Sequence, residues 1–124
     1  MTKTLFLSGI FFCVLSVIMG AFGAHALKDR LSEYSMSIYD KAVLYQFFHA
    51  FAVLFVAVLN KVFDTQDFSI SGILLIIGIL LFSGSLFILA ITDIKWLGAI
   101  TPIGGTLFII GWLILFIKIL KIKI

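Results

Sequence analysis

Four long apolar runs, separated by short charged stretches, leave this chain few possible folds. They cover about residues 4–27, 41–59, 70–91 and 97–117. A helix needs roughly 20 apolar residues to cross the hydrocarbon core of a bilayer, and each run is about that long. Backbone polar groups in lipid must be paired within the protein, which allows helices or a closed β-barrel. The runs are continuously apolar and lack the alternation of barrel strands, so helices follow. The chain is 63% hydrophobic and 12% charged, about half the charge of an ordinary soluble domain. The expectation is a single membrane domain over residues 1–124, an all-α integral membrane protein folded as an up-down four-helix transmembrane bundle.

The first run begins like a signal peptide, with Lys3 ahead of an apolar stretch and Ala24-His25-Ala26 resembling a cleavage site. It continues to Leu27, long enough to span, and further spans follow, so we read it as a membrane helix. Gly9, Cys13, Ser16, Gly20 and Gly23 recur along it at steps of four, three, four and three. That stripe of small residues predicts a helix-packing seam, because close backbone approach is what holds helices together in lipid. Residues 28–40 form the longest polar connection. Leu31, Tyr34 and Ile38 share a helical face there, which predicts a short interfacial helix between spans 1 and 2. Ser37 followed by Asp40 resembles a capping box opening the second span.

The net charge of +3 does not point to nucleic acid, because the basic residues flank the apolar runs. Up-down topology puts both termini and the second loop on one side, with Lys3, Lys61, Lys118, Lys121 and Lys123. Lys28, Arg30, Lys41 and Lys95 lie on the other. The excess of basic residues favours cytoplasmic termini.

The same topology gathers the polar residues of the spans in one half of the bilayer. At 1.5 Å per residue, His25 lies about 4–5 Å from its helix end, His49 about 13 Å past Asp40, Ser83 and Ser85 roughly 12–15 Å before Asp93, and Thr101 about 9 Å past Lys95. Gln46 is one turn from His49. Polar side chains in lipid normally face the bundle interior or water. A one-sided polar pocket of His25, Gln46, His49, Ser83, Ser85 and Thr101 is therefore expected, the alternative for each residue being a hydrogen bond that fixes helix register. No acid lies within a span, so neither a Ser-His-Asp arrangement nor an intramembrane carboxylate for proton coupling is available. Two histidines fall short of a zinc site, and their different depths make shared ligation of one haem awkward. The lone cysteine, Cys13, has no disulfide partner within the chain. The expectation is no catalytic residue, no metal and no cofactor.

Four segments carry a resemblance: Gly20-Ala21-Phe22-Gly23-Ala24-His25-Ala26-Leu27, Tyr45-Gln46-Phe47-Phe48-His49-Ala50, Leu81-Phe82-Ser83-Gly84-Ser85-Leu86 and Ile100-Thr101-Pro102-Ile103-Gly104-Gly105. In this order and length they resemble the YgdD/YwdK-like small membrane proteins, the domain of unknown function 423. The resemblance implies a multi-pass protein of the bacterial cytoplasmic membrane. It implies no activity, substrate or cofactor. The residues themselves favour a non-enzymatic binding or assembly partner, whose counterpart is membrane lipid, a second copy of the chain or another membrane protein. A small oligomeric transporter or channel is the competing reading.

Overall fold

The structure is a computed structural model that describes residues 1–124, and every regular element in it is helical. Helix α1 runs over Thr2–Phe22 and widens into a π-helical turn at Gly23–Leu27. Helix α2 covers Glu33–Val62 and α3 covers Ser69–Thr92. A 3₁₀ turn at Lys95–Ala99 leads into α4, Thr101–Leu120. Four of these helical stretches are long and apolar enough to cross a membrane, as the sequence predicts.

The entry to α2 differs from the sequence reading. The expected interfacial helix is not a separate element; it forms the first two turns of α2. Between Glu33 and Val62 there is no glycine or proline to break the helix. The N-cap is Ser32, whose hydroxyl accepts from the Ser35 amide at 3.1 Å, so Ser37 and Asp40 lie inside the helix and do not cap it. At 1.5 Å per residue α2 is about 45 Å long, against about 30 Å of bilayer hydrocarbon, so its polar first turns stand clear of the core.

Consecutive helices pack as neighbours: α1 on α2, α2 on α3 and α3 on α4. The central pair is α2 and α3, with 50% and 44% of their apolar stretches buried, against 22% for the flanking α1 and α4. The core has two parts. Near the second loop and the termini it is built from Leu5, Val53, Val56, Leu75, Ile79 and Phe108 among others. Near loops one and three it holds Leu27, Tyr39, Ala42, Leu86, Phe87 and Ala90.

The stripe of small residues on α1 faces α2. Gly9 lies against Leu54 and the Ala50 carbonyl, Gly20 against Val43 and Gly23 against the Tyr39 ring. Cys13 is half-buried at the edge of the core. Tyr39 is fully buried, edge-on to Phe87 at 5.1 Å, and its hydroxyl donates to the Met19 carbonyl at 2.5 Å. The Met19 carbonyl also accepts from the Gly23 amide, and the π turn begins there, at Gly23.

A comparable close approach joins α3 to α4. A Cβ on Gly104 would collide with the backbone of Phe82, so only glycine fits there. Pro102 sits in the first turn of α4, where its missing N–H costs nothing.

The second loop is fastened from three sides. The Asn60 side chain accepts from the Phe68 amide at 2.7 Å and donates to the Ser69 hydroxyl at 3.0 Å. Asp67 accepts from the Ser69 amide at 2.8 Å. Lys118, near the C-terminus, donates to the Asp67 carbonyl. These contacts place the second loop and the end of α4 at the same end of the molecule.

Candidate functional site

The six polar residues expected to share a pocket are divided among different helix contacts. Gln46 is buried on the side of α2 that faces α1. Its amide donates to the Ser16 hydroxyl at 3.0 Å and lies 3.4 Å from the Phe12 carbonyl. Ser16 in turn donates to the Phe12 carbonyl at 2.7 Å. The small-residue seam thus contains a polar clasp between α1 and α2. Ser85 is hydrogen-bonded to Thr101 at 2.7 Å and to the Phe82 carbonyl at 3.0 Å, which joins α3 to the start of α4. Ser83 is fully buried, and its hydroxyl has no partner. His25 is exposed on the π turn and makes no hydrogen bond to the protein.

His49 faces elsewhere. Residues three apart on a helix differ by about 60° in direction, enough to send Gln46 and His49 to different neighbours. The imidazole lies flat against the Phe108 ring, with centroids 3.5 Å apart and planes at 10°. Tyr45 lies nearly parallel to it at 6.0 Å, and Trp112 stands edge-on at 6.3 Å. The His49 Nδ1 is 2.7 Å from the Tyr45 backbone carbonyl. The bond uses the Tyr45 backbone oxygen and not its side chain.

Two adjoining cavities meet at Tyr45, His49 and Trp112. One, of about 610 Å³, lies against the outer face of α2 and is completed by Leu44, Phe48, Phe51, Ala52 and Phe55. The other, of about 450 Å³, lies towards α4 and is completed by Phe82, Pro102, Gly105, Thr106, Phe108 and Ile109. His49 is the one expected pocket residue that lines either of them. Gln46, Ser83, Ser85, Thr101 and His25 line neither, so the site is an aromatic cleft with a single imidazole, and the shared polar pocket is not formed.

Phe108 and Trp112 are the site residues that sequence reasoning missed. Gly104, Phe108 and Trp112 recur at steps of four, which puts them along one face of α4. Beside Gly104, which must approach Phe82 closely, that spacing marks the contact face.

Fold and site together define a small multi-pass helical membrane protein with two polar pairs, Gln46–Ser16 and Ser85–Thr101, across its helix contacts. The chain belongs to the family described as protein of unknown function (DUF423), whose pattern matches residues 19–105. It is 46% identical over 119 residues to a UPF0382 membrane protein of Staphylococcus epidermidis, covering 96% of this chain and 97% of the relative. The UPF0382 membrane protein SAB0533 of Staphylococcus aureus is 43% identical over 119 residues, with 96% and 97% covered. The UPF0382 membrane protein YwdK of Bacillus subtilis is 38% identical over 120 residues, with 96% and 98% covered. No solved structure matches the chain.

Proposed function

We propose that this chain is a non-enzymatic protein of the bacterial cytoplasmic membrane that works by binding a partner within the bilayer. The observation that carries this reading is how the spans use their polar groups. Gln46 pairs with Ser16, and Ser85 with Thr101, across helix contacts. These groups lock neighbouring helices and do not line a path. The aromatic cleft at His49 is open to the side. Membrane lipid, a second copy of the chain or another membrane protein are the partners such a surface suits. The relatives from Staphylococcus and Bacillus are named membrane proteins, which supports the location. In this reading both termini face the cytoplasm, supported by five basic residues at their end of the molecule against four at the other. Labelling from outside of a single cysteine introduced at Lys123 would contradict that orientation.

Native mass spectrometry of the protein released from membranes tests the functional reading. A stoichiometric apolar molecule, a second copy or a membrane-protein partner is expected on the protein. A bare monomer that conducts ions or small solutes in proteoliposomes contradicts the reading and makes the chain a transporter or channel.

A further inference from the structure

His49 is more than nine-tenths buried, yet half of its hydrogen-bonding capacity is unused. A backbone carbonyl only accepts hydrogen bonds, so the Nδ1 that approaches the Tyr45 carbonyl at 2.7 Å carries the proton. In the neutral ring that leaves Nε2 as a bare acceptor, and it has no partner in the protein. Nor is it sealed in the core: the fully buried unpartnered side-chain atoms are the hydroxyl oxygens of Ser71 and Ser83. Nε2 therefore opens onto the cleft. The ring cannot swing away to find another donor, because Phe108 covers one face at 3.5 Å and the Tyr45 bond fixes the edge.

An unpaired acceptor inside an apolar wall is unfavourable, more so where hydrocarbon replaces water outside. A ligand that ends this cost supplies one hydrogen-bond donor and is otherwise apolar. The cavity of about 610 Å³ lies in the usual range for small-molecule sites. Its wall is largely aromatic, with Tyr45, Phe48, Phe51, Phe55 and Trp112 lining it beside the imidazole, and aromatic walls take flat rings well. The cleft lies on a membrane-spanning helix, so its occupant arrives through the lipid.

We propose that the cleft between α2 and α4 binds a lipid-soluble phenol, with the ring against Trp112 and the hydroxyl donating to His49 Nε2. This rests on the binding reading above and narrows it to one site and one ligand class. No bond is made or broken; His49 is a binding residue.

The test is a titration of the whole protein in detergent with 4-dodecylphenol and with its methyl ether, which lacks only the donor. Trp112 fluorescence reports binding once Trp96→Phe has removed the other tryptophan, which is exposed in the 3₁₀ turn before α4. The phenol is expected to bind about tenfold more tightly than the ether, the size of one good hydrogen bond. His49→Phe should abolish that preference, while His49→Gln, whose amide oxygen can accept, should retain part of it. Equal binding of the two probes to the unaltered site overturns the His49 assignment and leaves the binding reading standing, and that comparison needs no variant at His49 to fold. Failure of both probes to bind overturns the phenol class. The mass-spectrometric result judges the binding reading separately.

Discussion

A methyl group on Gly23 would lie 2.4 Å from the ring of Tyr39, closer than real Cβ atoms approach a neighbour. Tyr39 cannot yield, because it is fully buried against Phe87 and held through its hydroxyl to Met19. Gly20 differs, since its added carbon would meet Val43 at an ordinary 3.5 Å. Gly23→Ala is therefore expected to destabilise the protein by about 1–3 kcal/mol through overpacking. Gly20→Ala should be neutral or slightly stabilising, because alanine is the better helix former. Melting of the two variants in detergent checks this; similar melting temperatures would contradict the contact. The small-residue stripe was legible from spacing alone. Its use against Tyr39 was not, because Tyr39 falls in the polar connection 28–40 until α2 is known to begin at Glu33. His25 looked suggestive beside these glycines, but the π turn leaves it exposed.

Among the helices, the spans were readable because each apolar run approaches the thickness of a bilayer. The ends were less so. Charge at Asp40 and Lys41 looked like a helix boundary, but charged residues end a membrane span without ending the helix itself. The second loop shows the reverse case, a short polar connection with a defined structure. Hydrogen bonds from the Ser69 hydroxyl and amide hold the Asp67 carboxyl below the usual carboxylate range, with Lys118 assisting. A carboxyl whose folded-state pKa is depressed contributes stability above its unfolded pKa, about pH 4, and loses it as pH falls through the lower folded value. Melting temperature should therefore drop on acidification below about pH 4, and Asp67→Asn should flatten that drop. An identical acid profile in the variant would show that Asp67 does not fasten the loop.

At the scale of the whole molecule, up-down topology correctly put loops one and three at one end, but it could not assign polar residues to helix contacts. Depth along the axis can be counted from sequence; direction around the axis depends on which helices are neighbours. Gln46 and His49 are at similar depth and were expected to meet. Because α1 and α4 flank the central pair, Gln46 turns to α1 and His49 to α4. Gln46–Ser16 and Ser85–Thr101 consequently act as clasps, each worth on the order of 0.6 kcal/mol, and the proposed binding surface is mostly aromatic. The family match on residues 19–105 includes both clasp partners on α3 and α4, Gln46 and His49, but not Ser16. The most direct measurement compares stability with ligand retention in the triple variant Gln46→Leu, Ser85→Ala, Thr101→Val. If the clasps only lock helices, native mass spectrometry will find the same bound partner as in the unaltered protein, at a lower melting temperature. A protein that melts unchanged but has lost its partner would show that these residues form the binding site.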